Sequence, residues 1–481
     1  AALGWGAMAT ALSLVWPIAL AITRVGVLRL GLPLMVARPI VWVATEYVRA
    51  YMFTGFPWYY LAHSQWQHVA LIQIADVTGS LGLSLLMAAT SAFVADALTL
   101  PLLRPSPRGP RWTRPMALRA GALAAGAAAT VGYGLFRIQT AEFPAGPRVA
   151  LLQSSLMQRL KMGMEPPDIT KVYLNLIDRA VKARPKPDLI VWPETAYPYG
   201  FLTIDRTLAA DELDRQARGY DSNWSGAGAM EKRDSVEAQV HGWTDALGIP
   251  MVLGSLNYDF RAGGLSRYNA AILLEPGKTT VQSYHKLHLV PFGEYVPLIA
   301  TFPWLVALTP YRDGHIPSLA FGGRPDWFDE GKYRYATAIC FEDTVPQVTR
   351  RLFAEVKDGR SPDVLLNLSN DGWFATMDED ETVHGTSEHA MHLAASVFRA
   401  VEHRVPLARA ANTGISSVVD GNGRVVASLP AGTQDVLVAQ VPLDPRTGLY
   451  TTLGDWLGQA CLAVTIGLVP LGLRRRKTSG Q

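Results

Sequence analysis

Long runs of apolar residues occupy the first 138 positions of the chain and predict helices that cross a membrane. Residues Ala2 to Ile22 carry no charge and are long enough to span the hydrocarbon core of a bilayer. Three further spans are predicted over Leu34 to Tyr51, Ser80 to Leu103 and Ala120 to Phe136. Apolar helices also form the cores of large soluble proteins, but four in so short a stretch favour a membrane bundle.

The second predicted span is the least apolar, because it contains Arg38, Glu46 and Arg49. Glu46 and Arg49 lie at a helical spacing at which the two side chains can pair near the membrane surface. The sequence Gly-Phe-Pro-Trp-Tyr-Tyr at 55–60 then ends the helix with glycine and proline. Its aromatic rings are typical of the boundary between a membrane and water.

From residue 139 to 452 the pattern changes to short β-prone runs that alternate with amphipathic helical repeats, which is typical of an α/β domain. Strands are predicted at Arg148 to Gln153, Asp188 to Trp192, Pro250 to Leu256, Tyr268 to Leu274, Thr280 to Tyr284, Tyr333 to Ile339, Asp363 to Leu368, Ser416 to Asp420, Arg424 to Ser428 and Val436 to Val441. Helices are predicted at Ile169 to Ala183, Asp234 to Leu247, Val345 to Val356 and Thr386 to Glu402. The charged stretch Leu202 to Asp234 is predicted to be a solvent-exposed excursion.

A last apolar run at 453–473 predicts a C-terminal span, and the tail at 474–481 begins with Arg-Arg-Arg-Lys. Arginines without any acid also fill the connection between the third and fourth spans, at Arg104, Arg108, Arg111, Arg114 and Arg119. Basic connections stay in the cytoplasm, so both clusters place residues 139–452 on the extracytoplasmic face. Because the first residue is alanine and no basic segment precedes it, we expect the natural chain to begin upstream, with an odd number of additional spans.

The composition supports a membrane protein, since 49% of the 481 residues are hydrophobic and the mean hydropathy is +0.12. A formal net charge of +3 gives no support to nucleic-acid binding. Two cysteines, Cys340 and Cys461, provide no disulfide framework, although the predicted compartment is oxidising. His285 and His288 lie in an extended segment without a third ligand, so neither a metal site nor another cofactor is predicted.

Cys340 is the cysteine outside the apolar helices, and the run Tyr335 to Ile339 places it at the end of a predicted strand. Ligand crevices of α/β sheets open at such strand ends, where an isolated thiol suits a nucleophile. A buried cysteine with a purely structural role is the alternative, since a free cysteine packs as a small hydrophobe.

Two other strand ends carry groups that a cysteine nucleophile needs. Glu194 follows an apolar strand and Pro193, which indicates a poorly solvated carboxylate suited to general-base catalysis. Lys286 lies in the segment Tyr284 to Tyr295, which is too apolar for a solvated loop, and offers a fixed positive charge for an oxyanion. Taken singly, each also fits an ordinary surface residue.

Three motifs carry a resemblance to the nitrilase, or carbon–nitrogen hydrolase, superfamily, whose Glu, Lys and Cys occur in this order. They are Trp192-Pro193-Glu194, Lys286-Leu-His-Leu-Val-Pro-Phe-Gly-Glu294-Tyr295 and Cys340-Phe341-Glu342-Asp343. With the apolar helices and the segment Glu46 to Trp58, the chain resembles the apolipoprotein N-acyltransferases, a family of bacterial membrane enzymes. That family usually has eight spans, and five are predicted here.

Further segments match the same family pattern without receiving a catalytic role. They are Asn367 to Phe374, His392, Arg399 to Glu402, Arg409, Asn412 to Gly414, Arg446 to Gly448 and Gly454 to Trp456. The chain also departs from the pattern, with Phe341 where a tyrosine often follows the nucleophile and Met162 where an aromatic residue is common. These departures affect the predicted shape of the acyl pocket.

The resemblance implies a membrane helical bundle with an extracytoplasmic α-β-β-α sandwich domain. It implies Cys340 as nucleophile, Glu194 as base, and Lys286 with the backbone N–H of Phe341 as oxyanion stabilisers. Glu294 and Glu342 are then candidates for holding Lys286 charged and oriented. The apolar segment Val296 to Leu308 is predicted to dip into lipid or to cover the pocket, with a packed core loop as the alternative.

The implied reaction moves a fatty acyl chain from a phospholipid to the N-terminal α-amino group of a diacylglyceryl-cysteine lipoprotein. A thioester on the cysteine and a ping-pong scheme would carry it, in a monomeric enzyme at the bacterial inner membrane. One alternative is a membrane-anchored amidase that uses water as acceptor. Another is a transporter or non-catalytic scaffold with a degenerate domain.

Overall fold

The computed structural model describes residues 2–52, 55–103, 114–308, 318–356, 358–380 and 382–474, in which a helical part packs against an α/β domain. The helices are α1 (Ala2–Arg24), α2 (Leu34–Tyr51), α3 (Val69–Ile72), α4 (Ala75–Thr78), α5 (Ser80–Leu103), α6 (Arg114–Gln139), α7 (Gln158–Lys161), α8 (Pro166–Lys182), α9 (Ala210–Tyr220), α10 (Gly226–Leu247), α11 (Pro346–Ala354), α12 (Ser387–His403), α13 (Leu449–Leu453) and α14 (Trp456–Arg474). A π-helical turn, Val25–Arg29, extends α1.

Four helical stretches of the described chain are long and apolar enough to cross a membrane by length and composition. They are Leu12–Arg29, Ser80–Leu98, Arg114–Gln139 and Trp456–Arg474. Only 6% of Arg114–Gln139 is buried, so an apolar surface of that size needs lipid around it. Arg104, Arg108 and Arg111 of the basic connection, and the tail after Arg474, lie outside the described residues.

Helix α2 forms where an apolar span is predicted, but its three charged residues keep it out of the four apolar stretches. It packs between α5 and α14. Glu46 is buried there and accepts hydrogen bonds from Trp42 Nε1 at 3.1 Å and from the backbone N–H of Leu61 at 2.8 Å. These bonds allow a carboxyl group within an otherwise apolar helix.

The α/β domain contains two large sheets. The strands are β1 (Ala145–Gln153), β2 (Leu189–Val191), β3 (Tyr197–Ile204), β4 (Met251–Arg261), β5 (Gly264–Leu274), β6 (Gln282–His285), β7 (Trp327–Glu330), β8 (Tyr333–Ile339), β9 (Val364–Ser369), β10 (Thr376–Met377), β11 (Val383–His384), β12 (Leu407–Ala411), β13 (Ser416–Val419), β14 (Val425–Leu429) and β15 (Asp435–Pro442). The first sheet has the order β15-β1-β2-β4-β5-β6, with β3 also paired to β4. The second has the order β14-β13-β12-β9-β8-β7.

Alternating side chains of the strands place the two sheets face to face between outer helices. Val149 and Leu151 of β1 point into a core shared with the second sheet. Ala150 and Leu152, on the opposite face of β1, pack with Tyr173 of α8. Helices α11 and α12 add their apolar faces to the shared core on the side of the second sheet. The predicted α-β-β-α sandwich is therefore confirmed.

Three strands of the two large sheets were not predicted from the sequence pattern. Strand β12 reads Leu-Ala-Arg-Ala-Ala and resembles a helical segment, yet it is buried between β9 and β13. Strands β3 and β7 lie at sheet edges, where pairing partners rather than local apolar runs define them. Tertiary pairing thus overrides local propensity at these positions.

The stretch from Leu202 to Asp234 corrects the prediction of a simple solvent-exposed excursion. It contains the end of β3, the whole of α9 and the first turns of α10. Leu202, Leu213 and Ala217 are buried in a small separate core with Phe260 of β4. The charges occupy the outer face of an amphipathic helix, which explains why the composition alone reads as a loop.

Two sets of hydrogen bonds join the helical part to the α/β domain. Arg404, which follows α12 and is fully buried, donates to Asp76 Oδ2 at 2.7 Å and to Gln73 Oε1 at 2.6 Å. Trp58, in the loop after α2, donates from Nε1 to Glu388 Oε1 at 2.6 Å. The loop after α2 therefore lies on the α/β domain rather than in open solvent.

Candidate active site

The three predicted catalytic side chains each follow the end of a strand, two in the first sheet and one in the second sheet. Glu194 follows β2, Lys286 follows β6 and Cys340 follows β8. Lys286 Nζ lies 3.1 Å from Glu194 Oε1. The ammonium of Lys286 and the carboxylate of Glu194 are both close enough to the thiol of Cys340 to act on its pKa, in opposite directions. Residues far apart in sequence thus form one site.

Lys286 is buried between two carboxylates. Its Nζ lies 3.1 Å from Glu194 Oε1 and 3.0 Å from Glu294 Oε2. Asn269 joins the same two acids, since its Nδ2 donates to Glu194 Oε1 and to Glu294 Oε1, each at 2.7 Å. Burial opposes the charge on Lys286, but the two carboxylates outweigh it and hold the pKa of the ammonium well above its usual value.

Cys340 occupies a strained position at the turn between β8 and the 3₁₀ helix Cys340–Thr344. Its φ is 53°, a left-handed conformation that non-glycine residues rarely adopt. Burial, aided by the Glu194 carboxylate, raises the pKa of the thiol, while Lys286 opposes that rise. The resting sulfur is therefore protonated and needs a base to become a nucleophile.

Glu342 ties the Lys286 segment to the Cys340 turn. Its Oε1 accepts from the backbone N–H groups of Leu287 at 2.6 Å and His288 at 3.0 Å. Its Oε2 accepts from the backbone N–H of Ile339 at 2.7 Å. Burial raises the pKa of Glu342 to about 7 although these donors favour the charged form. The predicted orienting role of Glu342 therefore has a direct physical basis in these bonds.

Phe341 forms one wall of the site together with the loop after α2. Its ring stacks on Trp58 with centroids 5.5 Å apart and on Phe56 at 6.0 Å. His288 lies 5.8 Å from the same ring. Burial and the nearby Lys286 charge lower the pKa of His288 to about 4, so its ring is neutral. The residue after the nucleophile thus faces an apolar, aromatic wall.

Several apolar side chains on segments near the site residues in sequence are exposed. Leu298 and Trp304, on the segment after Lys286, are 65% and 64% exposed. Met162, where an aromatic residue is common in the family, is 64% exposed. Exposure on this scale does not fit a packed core loop, so it favours contact of Val296 to Leu308 with lipid or substrate.

Two further residues, Lys161 and Asn269, lie beside Glu194 and were not predicted from the sequence. Lys161 Nζ donates to the backbone oxygen of Thr195 at 2.6 Å, directly beside Glu194. Burial lowers the pKa of this lysine to about 8, against the opposing effect of Glu194. Neither residue lies in a motif, and the position of Asn269 directly before the apolar run Ala270 to Leu274 is its one local feature.

His285 and the two cysteines bear on the question of a metal site. His285 Nε2 lies 2.9 Å from Asn257 Nδ2, and Cys340 and Cys461 are both free thiols. Within the described ranges, no group of three or more His, Cys, Asp or Glu side chains is arranged to hold a metal ion.

Comparison with known proteins finds two family models that match this chain. The family model for carbon–nitrogen hydrolases matches residues 148–448, and the model for the apolipoprotein N-acyltransferase N-terminal domain matches residues 1–93. A solved amidase from Nesterenkonia sp. is similar at a TM-score of 0.39 with 17% identity, over 63% of this chain and 93% of that one. The α/β domain thus belongs to the carbon–nitrogen hydrolase class.

Relatives of the whole chain define the family more narrowly. An apolipoprotein N-acyltransferase of Geobacter metallireducens is 32% identical over 453 residues, which cover 94% of this chain and 76% of the relative. One from Rhodopirellula baltica is 27% identical over 472 residues, which cover 93% of this chain and 80% of the relative. The chain belongs to the apolipoprotein N-acyltransferase family, and its apolar helices make it a membrane protein.

Proposed function

We propose that this protein transfers a fatty acyl chain from a phospholipid to the N-terminal α-amino group of diacylglyceryl-cysteine lipoproteins. The observation that carries the proposal is the buried Glu194–Lys286 ion pair of 3.1 Å beside the thiol of Cys340. A protonated thiol, a neighbouring carboxylate and a fixed cation are the groups that acyl transfer through a thioester requires.

In the first half-reaction, Glu194 accepts the thiol proton as the sulfur of Cys340 attacks an ester carbonyl of the phospholipid. Lys286 and the backbone N–H of Phe341 stabilise the resulting tetrahedral oxyanion. The carbon–oxygen ester bond then breaks, and the proton from Glu194 goes to the leaving alcohol oxygen. The products are a Cys340 thioester and a lysophospholipid.

In the second half-reaction, the neutral α-amino group of the lipoprotein attacks the thioester carbonyl. Glu194 takes a proton from the attacking amine and passes it to the sulfur as the carbon–sulfur bond breaks, which forms an amide and regenerates the Cys340 thiol. Glu194 gave its proton to the leaving alcohol oxygen in the first half-reaction. It is therefore ionised again and can act as a base in this step. The scheme is ping-pong and needs no cofactor.

Glu294 and Glu342 serve as orienting groups in this proposal. Glu294, whose Oε2 lies 3.0 Å from Lys286 Nζ, acts with Glu194 to keep Lys286 charged. Glu342 accepts hydrogen bonds from three backbone N–H groups that lie next to Lys286 and Cys340 in sequence. Both carboxylates therefore act through Lys286 and the backbone rather than on the substrate.

The membrane setting fits the proposed substrates. Each long acyl chain costs several kcal/mol to pull into water, at about 0.8 kcal/mol per CH₂. An active site at the bilayer surface avoids that cost, and exposed Leu298 and Trp304 provide apolar contacts near the pocket. Basic connections favour the inner membrane with the α/β domain on the periplasmic face. The proposed working unit is a monomer.

The test uses purified protein with a phospholipid labelled in its acyl chain, with and without a diacylglyceryl-cysteine peptide. We expect labelled peptide in the first case and an acyl adduct on Cys340, seen by intact-protein mass spectrometry, in the second. Cys340→Ala should fold but lose both products, whereas Cys461→Ala, which changes the other free thiol, should keep both. Release of free fatty acid without peptide acylation would instead establish a hydrolase.

A further inference from the structure

A buried charge network lies directly behind Cys340 and has no part in the proposed chemistry. It contains two cationic side chains, Arg409 and His392, and two carboxylates, Asp343 and Asp371, all fully buried. Arg409 Nη1 donates to Asp343 Oδ2 at 3.0 Å, and its Nη2 donates to Asp371 Oδ2 at 2.7 Å. The guanidinium thus bridges the two acids with separate nitrogens.

His392 bridges the same two acids from the other side. Its Nε2 lies 2.9 Å from Asp343 Oδ1 and its Nδ1 lies 3.1 Å from Asp371 Oδ1. Burial and the Arg409 charge oppose protonation of the ring, but the two carboxylates outweigh them and raise the pKa of His392 to about 9. Because an imidazolium donates from both nitrogens, Asp371 is the partner of Nδ1–H, although Arg409 Nη2 also lies 2.9 Å from that atom. Two positive and two negative charges then balance.

One arm of the network holds the turn of the nucleophile. Asp343 belongs to the same 3₁₀ helix as Cys340. Arg409 also donates to the side-chain oxygen of Asn367, whose Nδ2 donates to the backbone oxygen of Cys340 at 3.4 Å and of Ala338 at 3.2 Å. The left-handed backbone of Cys340 is therefore fixed from the guanidinium.

The other arm holds the base. Asp371 is fixed by Arg409, by His392 and by the hydroxyl of Ser369 at 2.6 Å. The preceding backbone N–H, that of Asn370, donates to Glu194 Oε2 at 3.0 Å. One buried side chain, Arg409, thereby reaches both the nucleophile turn and the hydrogen bond that orients Glu194.

We propose that Arg409, supported by His392, is a positioning residue that sets the placement of the Cys340 sulfur relative to the Glu194 carboxylate. This inference rests on the proposed roles of Cys340 and Glu194. It predicts an effect on the rate of acyl transfer rather than on substrate binding, since the four charged side chains of the network are fully buried. A displacement of about 1 Å in a reacting group is sufficient to lower a rate about a hundredfold.

Arg409→Lys tests the inference because lysine keeps the charge but cannot bind Asp343, Asp371 and Asn367 from two fixed nitrogens. The matched control is Arg404→Lys, another fully buried arginine that binds Asp76 at the junction with the helical part. For Arg409→Lys we expect kcat of peptide acylation to fall roughly tenfold to a hundredfold, with KM for the phospholipid changed less than about twofold. Arg404→Lys should lower the melting temperature in detergent while kcat stays within about twofold.

Asn367→Ala is the second variant and decides the outcome if Arg409→Lys does not fold. It leaves every charge in place and removes the link from Arg409 to the carbonyl oxygens of Cys340 and Ala338, so kcat should fall about tenfold at nearly unchanged KM. The inference is overturned if Asn367→Ala has wild-type kcat, or if Arg409→Lys and Arg404→Lys lose kcat equally. Cys340→Ala distinguishes failure of the proposed function from failure of this inference. Peptide acylation by Cys340→Ala would contradict the proposed function. An inactive Cys340→Ala together with fully active network variants would contradict this inference alone.

Discussion

The charge balance around Lys286 leads to a prediction that can be worked through from distances. Lys286→Met keeps the length and volume of the side chain but removes its positive charge. In the native site that charge lies 3.1 Å from Glu194 and 3.0 Å from Glu294, in a buried setting. Without it, two neighbouring carboxylates remain with no cation between them, and Asn269 Nδ2 is the donor that both of them still share.

The expected losses follow from these contacts. Removal of one partner from a buried ion pair destabilises a protein by about 3–5 kcal/mol, because the remaining charge is left without compensation. Loss of one oxyanion-stabilising group lowers kcat roughly 10²–10³-fold. Lys286→Met should therefore lower both the melting temperature and the rate at which the Cys340 acyl adduct forms.

A second substitution separates the two effects. In Lys286→Met combined with Glu294→Gln, the excess negative charge is gone, so we expect about 0.5–3 kcal/mol of stability to return as coupling between the sites. Activity should not return, because no cation faces the oxyanion. Thermal melting in detergent and intact-mass measurement of the adduct provide the two readouts. If Lys286→Met forms the adduct at the wild-type rate, or if the double variant is less stable than Lys286→Met, the electrostatic account of this site is wrong.

Three further predictions test the surroundings of the site. The pKa of His392 is raised from 6.5 to about 9, which corresponds to a contribution of about 3 kcal/mol to the free energy of unfolding. This contribution should be complete below pH 6.5 and disappear as the pH rises through 9. Melting curves of His392→Gln should lack this pH dependence. Gly254→Ala would place a Cβ atom 2.0 Å from the backbone oxygen of Pro193, next to the base, and should slow adduct formation, whereas Gly263→Ala meets nothing within 4 Å and should behave as wild type. Glu342→Gln turns an NH₂ group towards backbone N–H donors and should lower the free energy of unfolding by about 1–3 kcal/mol; chemical denaturation that shows no change would contradict this role.

The motifs allowed the sequence to predict much of the site. Glu194, Lys286 and Cys340 each follow an apolar run, and such runs are a local feature that sequence patterns report. Ten strands and four helices of the α/β domain were predicted for the same reason, whereas the arrangement of the strands in two layers was implied by the family resemblance. The stretch at α9 was read wrongly because its outward charges conceal a buried face of Leu213 and Ala217.

Other parts of the site have no local signature. Asn269 lies between the two acids only because β5 pairs with β4 and β6. The wall built by Trp58 on Phe341 joins a loop of the helical part to the α/β domain. Arg409 reads as part of a helical segment in sequence, and only its place in a central strand brings it behind the nucleophile.

Residue types and short-range periodicity were sufficient to establish the family, the order in which Glu194, Lys286 and Cys340 occur, and the apolar helices. The tertiary structure alone decided which side chains surround Lys286, how Glu342 joins two segments and how one guanidinium reaches both Cys340 and Glu194. Those arrangements depend on contacts between residues distant in the chain, which arise only when the two sheets pack and the strands pair in register.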